Sequence, residues 1–136
     1  MNIDAFERLL PEVTDGNRAY WDGLTVRELR LQRCAHDDVF RFPASPVCPN
    51  CLSPDFAWTA VSGRATLWSW IVMHQEYFEA FADERPYPVA FVKLAEGPFM
   101  VSTVLADPAT LSIDVPLELT FREIGDRAVP CFRPAP

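Results

Sequence analysis

Residues Pro116 to Glu123 alternate cleanly, with Leu117, Leu119 and Phe121 on one side and Glu118, Thr120 and Arg122 on the other. A period of two marks a strand with one face on a core and one in water. The same alternation runs through Glu28-Leu29-Arg30-Leu31-Gln32-Arg33 and straight into Cys34. Val39 to Phe42 reads as the strand that returns alongside it. Ala65 to His74 is a long run rich in Trp, Ile and Val, and Pro88 to Leu94 a second. Glu96-Gly97 makes a tight turn into Phe99 to Leu105, which is a hairpin pattern. Gly125-Asp126 turns the chain once more, into Ala128 to Phe132. Leu52 to Ser62 reads as a connection with some strand character around Phe56, Trp58 and Val61.

The N-terminal pattern is different. Phe6, Leu9 and Leu10 recur at helical spacing, with Asp4 as a candidate cap and Pro11 as a stop. Thr14 and Asp15 offer a second start, and Gly23 a stop after Tyr20 and Trp21. Helices this short are marginal alone and need a surface to lie on. Phe6, Tyr20 and Trp21 are the groups that would lie, either on their own domain or on a partner subunit. The expected fold is mainly β: a helical segment over residues 1–27, a ribbon-like hairpin over 28–61 and a five-stranded barrel of the OB type over 62–136.

The hairpin carries the candidate chemistry. Cys48-Pro49-Asn50-Cys51 is a complete Cys-x-x-Cys knuckle. Its partner knuckle starts at Cys34, but the position three residues on is Asp37. Tetrahedral zinc takes two pairs of donors from two tight turns, and carboxylate oxygen is an acceptable donor. Cys34, Cys48, Cys51 and Asp37 form the candidate metal set, in a site weakened by the loss of one thiolate. The alternative is a hairpin held by packing, with Cys34 as a small buried hydrophobe. His36 falls one residue short of the knuckle position and reads as solvent-facing.

Composition narrows the function. The 136 residues hold ten Phe, four Trp and three Tyr, enough for a substantial core. Twelve basic against nineteen acidic residues give a net charge of −7, with a single Lys, Lys93. Nucleic-acid binding draws on clustered cations, so this balance opposes it. Arg27, Arg30 and Arg33 are the densest basic cluster. Residues 1–10 carry Asp4, Glu7 and Arg8, which a signal peptide would not. No stretch approaches the roughly 18 apolar residues that cross a bilayer, and the expected location is cytoplasmic.

No catalytic grouping stands out. His36 and His74 lie in different elements, and Ser69 and Ser102 have no base beside them. Asp83-Glu84 reads as a solvated loop pair. Between two predicted strands, residues 75–87 form an excursion carrying Tyr77, Phe78 and Phe81. Burial is the common fate of such a cluster, but a loop this long usually has a function. An acyl channel or an interface is the alternative.

Several words in a fixed order carry a resemblance. They are Asn17-Arg18-Ala19-Tyr20-Trp21-Asp22-Gly23-Leu24, Leu29-Arg30-Leu31-Gln32-Arg33-Cys34, Arg41-Phe42-Pro43 and Pro46-Val47-Cys48-Pro49-Asn50-Cys51. Ser62-Gly63-Arg64-Ala65-Thr66-Leu67-Trp68-Ser69-Trp70, Pro86-Tyr87-Pro88-Val89-Ala90-Phe91-Val92 and Phe132-Arg133-Pro134 continue it. Over nearly its whole length the chain resembles the acyl-CoA-associated zinc-ribbon and OB-fold family, once filed as domain of unknown function thirty-five. The resemblance implies a non-catalytic partner of thiolase-fold enzymes: thiolases, ketoacyl synthase relatives or the thiolase-like aldolases of steroid side-chain breakdown. It associates the ribbon and the N-terminal helices with partner docking and CoA access, which makes Phe6, Tyr20 and Trp21 docking candidates. This sequence departs at Asp37 and Asp38, where the family usually has Cys and Gly. From another functional class, an OB module binding single-stranded nucleic acid is the alternative, motivated by the barrel and its aromatics. A self-sufficient thioesterase or redox protein is a third.

Overall fold

The computed structural model describes residues 3–136. Two short helices, α1 (Ile3–Glu7) and α2 (Arg18–Thr25), precede a three-stranded ribbon sheet. Its strands are β1 (Arg30–Cys34), β2 (Phe40–Arg41) and β3 (Phe56–Ala60), in the order β2-β1-β3. The β3 strand is longer and more regular than the sequence pattern suggests. It pairs antiparallel with all of β1, from Arg30 opposite Ala60 to Cys34 opposite Phe56. Its exposure does not alternate, because it is the sheet's outer strand and buries neither face well. That is why its signal was faint.

Gly23 does not end α2. It lies buried inside the helix, where a β-carbon would come within 2.8 Å of the Arg30 side chain and 2.9 Å of the Glu28 carbonyl oxygen. The helix stops two residues later, and Arg27 takes φ 63° to reverse the chain. Gly23 is thus needed for close approach of helix and strand.

The second sheet has five antiparallel strands: β4 (Arg64–Met73), β5 (Tyr87–Leu94), β6 (Phe99–Ser102), β7 (Pro116–Ile124) and β8 (Arg127–Pro134). Their order is β6-β5-β4-β7-β8. The ends meet. Leu105 donates its amide to the Phe132 carbonyl at 2.8 Å, and Phe132 donates its own to Thr103 at 3.0 Å. This parallel bridge curls the sheet into an OB-type barrel. A β-bulge at Trp68 lets β4 bend between its two partners.

Inside, Leu67, Val92, Val104 and Phe132 form the barrel core. Leu24, Leu29 and Leu31 belong to the same cluster, so α2 and the ribbon pack directly onto the barrel. A second, smaller cluster joins Ala5 and Phe6 of α1 to Ala80 and Ile124. No described helix is long and apolar enough to cross a membrane.

Gly63, at the junction of ribbon and barrel, has φ 80°, and a β-carbon there would sit 2.8 Å from that of Leu119. Leu119 also donates its amide to the Gly63 carbonyl at 2.8 Å. We expect Gly63→Ala to lower the unfolding free energy by about 1–3 kcal/mol, from backbone strain and overpacking together. Urea titration should show a lower midpoint at an unchanged slope. An unchanged midpoint would mean that the junction yields freely.

Candidate functional site

The two turns of the ribbon are built alike. In the second, the Asn50 amide donates to Cys48 Sγ at 3.4 Å, the Leu52 amide to the Cys48 carbonyl at 2.8 Å, and Leu52 takes φ 65°. In the first, the His36 amide donates to Cys34 Sγ at 3.4 Å, the Asp38 amide to the Cys34 carbonyl at 3.1 Å, and Asp38 takes φ 63°. Asp37 therefore occupies the position that Cys51 holds in the other turn. Asp38 holds this conformation at little cost, because Asp tolerates the left-handed region better than most residues.

The structure brings the four predicted donors together. Cys34, Asp37, Cys48 and Cys51 place one ligand atom each within 4.8 Å of one another. Cys34 Sγ lies 3.6 Å from Cys51 Sγ, and Cys48 Sγ lies 3.6 Å from Asp37 Oδ2. Zinc binds thiolate at about 2.3 Å and carboxylate oxygen at about 2.0–2.2 Å, which puts tetrahedral donors roughly 3.5–3.8 Å apart. The spacing and the donor chemistry both fit zinc. His36 is exposed and outside the cluster.

Asn50 is the member that sequence reasoning passed over. Its side-chain amide donates to Asp37 Oδ2 at 2.8 Å, while the Val39 amide donates to Oδ1 at 3.1 Å. Asn50, then Val39, hold the Asp37 carboxyl well below the usual carboxylate range. The only signal in the sequence was an amide side chain between the two knuckle cysteines. The backbone amide of Cys51 and that of Asn50 pull Cys48 down. Cys51 is pushed up to about 11: the Ser53 amide opposes the rise, but burial and the neighbours Cys34, Cys48 and Asp37 outweigh it.

Behind the knuckles, Gln32 and Arg41 are buried. Gln32 Oε1 accepts from Arg41 Nε at 2.9 Å and from the Ser45 amide at 2.8 Å, and Arg41 Nη2 donates to the Ser45 carbonyl at 2.9 Å. The Arg41 guanidinium also lies over Phe56, 4.8 Å from its ring centre.

Of the three docking candidates, Phe6 packs on its own domain, the other outcome that the sequence left open. Phe6 is only 3% exposed. Its ring meets Phe81 edge-on at 4.8 Å, and the Arg122 guanidinium covers it at 4.7 Å. It is a core residue, because α1 has too little apolar surface to be held without it. Tyr20 and Trp21 are half-buried against each other, with Phe42 beside Tyr20 and the Arg127 guanidinium 4.1 Å over Trp21. Burial pushes the Tyr20 phenol well above its ordinary value.

A second feature lies where α1, the excursion and the barrel meet. It is a mostly apolar cleft of about 640 Å³, within the roughly 300–1,000 Å³ usual for small-molecule sites. Phe81 lines it, half-buried and stacked on Tyr87 at 5.1 Å. Phe78 also lines it and is 53% exposed, while Tyr77 beside it is 61% exposed. Among the cleft's charged groups, Glu84 and Arg122 are ion-paired with each other. Glu84 is thus a tied residue and not the solvated loop group that its sequence position suggested. Cys131 also lines the cleft, and burial pushes its thiol up. The Ser102 hydroxyl donates to the Pro130 carbonyl at 3.1 Å, and Ser69 lies exposed on another face.

A rubredoxin-like ribbon followed by an OB barrel defines the class. Comparison with known proteins agrees. Residues 21–57 match the ChsH2 rubredoxin-like zinc ribbon domain, and residues 58–122 match the ChsH2 C-terminal OB-fold domain. A solved chain titled Ltp2-ChsH2(DUF35) aldolase superimposes with a TM-score of 0.84 at 33% identity, covering 93% of this chain and 100% of that one. The chain belongs to the DUF35 family of ChsH2-type zinc-ribbon and OB-fold proteins. A probable enoyl-CoA hydratase alpha subunit of Thermomonospora curvata is 34% identical over 92% of this chain and 39% of its own length. The 3-oxo-4,17-pregnadiene-20-carboxyl-CoA hydratase alpha subunit of Mycobacterium tuberculosis is 29% identical over 98% of this chain and 42% of its own. The chain thus spans about two-fifths of the length of these curated relatives.

Zinc binding should be strongly pH-dependent. Burial and the neighbours Cys34, Cys48 and Asp37 make the Cys51 thiol hold its proton more tightly than usual, so at pH 7 it is protonated and zinc must displace that proton. Affinity should therefore fall as pH falls, on the order of tenfold per pH unit for each proton released. Competition against a chromophoric chelator at pH 6, 7 and 8 measures the slope. Asp37→Cys should retain zinc longer during dialysis against a chelator, and Asp37→Ala should lose it sooner. Equal retention by Asp37→Ala and the native chain would remove Asp37 from the ligand set.

Proposed function

We propose that this chain is a non-catalytic accessory subunit that binds a thiolase-fold enzyme and helps to form or gate its acyl-CoA site. The observation that carries this reading is the likeness, over all of that chain, to the DUF35 component titled with an aldolase. The curated relatives bear names of subunits that act on CoA thioesters, one of them steroidal, which supports an acyl-CoA pathway including steroid side-chain degradation. A thiolase-fold partner is what the family resemblance implies.

In this reading the knuckle holds zinc as a structural ion through Cys34, Asp37, Cys48 and Cys51. The cleft receives apolar parts of the acyl group, with Phe78 and Phe81 in its lining and the exposed Tyr77 next to Phe78 in the chain. Glu84 and Arg122 neutralise each other, so the cleft suits an uncharged group, and the CoA phosphates stay outside it. Phe6 contributes indirectly by fixing Phe81, and Tyr20 and Trp21 brace the helix beside the ribbon. The basic cluster of the sequence is occupied: Arg27 pairs with Glu123, Arg30 with Glu28 and Arg33 with Asp38.

The test is reconstitution with an Ltp2-type aldolase subunit. We expect a stable complex by size-exclusion chromatography with light scattering, and faster aldol cleavage of a CoA thioester than by the aldolase alone. The isolated chain should turn over no acyl-CoA. In the complex, Phe78→Ala should raise KM several-fold with little change in kcat, the pattern of lost uniform binding. A chain that forms no complex and leaves the enzyme's activity unchanged would end this reading, as would acyl-CoA hydrolysis by the chain alone.

A further inference from the structure

None of the nineteen Asp and Glu residues lies on β4, β5 or β6. On a chain of net charge −7 this is a marked partition. The inward side chains of these strands, among them Leu67, Ala90, Val92 and Met100, are buried in the barrel. Most of the outward ones are apolar as well. Ile71 is 61% and Val101 67% exposed, and Trp68 and Phe91 are also open to solvent. Register places Ile71 opposite Val89, and Phe91 opposite both Ser69 and Val101, so these groups form one continuous patch across three strands. Phe99 stacks on Phe91 at 4.8 Å and meets Trp68 edge-on at 5.2 Å, which fixes the rings in place. The Lys93 ammonium lies over Trp68 and Phe99, at 5.6 and 5.9 Å. Between Ile71, Val89, Phe91 and Val101 the patch dips into a recess of about 280 Å³.

Exposed apolar patches on this scale mark interaction sites, and the cores of protein interfaces are rich in aromatics and poor in charge. The recess is the kind of pocket that takes a single anchoring side chain. We propose that the outward face of β4, β5 and β6 is where the partner enzyme docks, presenting an apolar anchor to the recess and a carboxylate to Lys93. This rests on the accessory-subunit reading and adds the surface through which it works. Charge selects the occupant. A single-stranded nucleic acid would need more than Lys93 and Arg64, the only cations on these strands, to offset the net charge. A second copy offers no carboxylate from the same face to meet Lys93. A different protein with an acidic rim meets both demands. The sheet, and not the N-terminal aromatics, is then the docking element.

Ile71→Glu, Val101→Glu and Lys93→Glu test the face. Ile113→Glu is the control, at an apolar position 68% exposed and outside the patch. All four side chains are exposed, so thermal unfolding should match the native chain. Binding to the Ltp2-type aldolase subunit is measured by calorimetry. Each face variant should weaken Kd by about tenfold or more, and the control should not. Face variants that bind as tightly as the native chain would overturn this inference and leave the accessory role standing. A native chain that does not bind would sink both. A concentration-dependent dimer abolished by Ile71→Glu would assign the face to a second copy. Salt-sensitive binding of oligothymidylate lost in Phe91→Ala would assign it to nucleic acid. Either result would also overturn the proposal.

Discussion

The ribbon depends on one buried amide. Gln32 Oε1 accepts from both Arg41 and the Ser45 backbone, and Arg41 in turn reaches the Ser45 carbonyl. Burying a guanidinium is expensive unless its donors are met; Nε and Nη2 are met here and Nη1 is not, so Arg41 is confined to the geometry that Gln32 and Ser45 permit. That geometry spans both halves of the hairpin. Gln32 lies on β1, which leads into the first knuckle, and Ser45 lies on the proline-rich segment leading to the second. The two turns are thereby set opposite each other by protein–protein hydrogen bonds. The four candidate donors converge between them.

Support from behind the knuckles changes what a carboxylate means at the fourth corner. In a peptide that folds only on zinc, replacing a thiolate weakens metal binding and folding together. Here Leu29 and Leu31 of the ribbon belong to the barrel's core, so the hairpin has support that does not pass through the metal. Asp37 is also oriented, by Asn50 on one oxygen and the Val39 amide on the other. Such outer-shell hydrogen bonds fix a ligand's direction and keep it charged. The substitution trades thiolate softness for a pre-aligned anion.

Much of this architecture was legible because its strands face one way. The alternation from Leu117 to Phe121 and the Glu96-Gly97 turn mapped onto β7 and onto the β5–β6 hairpin. The convergence of Cys34, Asp37, Cys48 and Cys51 was legible because knuckle spacing is a covalent property of the chain. What sequence could not supply was side-chain destination. Phe6, Tyr20 and Trp21 look alike in a helical pattern, yet Phe6 is in the core and the other two are half-buried. Gly23 looked like a stop because close packing against Arg30 is a tertiary fact. β3 was faint because an outer strand has no buried face to imprint a period. The acid-free strands were visible in the sequence, but their significance appears only when register lays Ile71, Phe91 and Val101 side by side.

The aromatic side chains show how one small domain can separate stability from recognition. Phe132 closes the barrel from within, and Phe6 with Phe81 holds α1 to the excursion. Trp68, Phe91 and Phe99 do neither, since the core beneath them is already filled by Leu67, Val92 and Met100. Removing their outer surface from water would gain free energy that folding leaves unrealised, at roughly 25 cal/mol per Å² of apolar area. An acidic surface elsewhere opposes indiscriminate association of like-charged copies. In the docking proposed above, Lys93 meets that opposition locally, so the apolar face suits a partner that brings a carboxylate to it, and the candidate metal site and the cleft are left free for other roles.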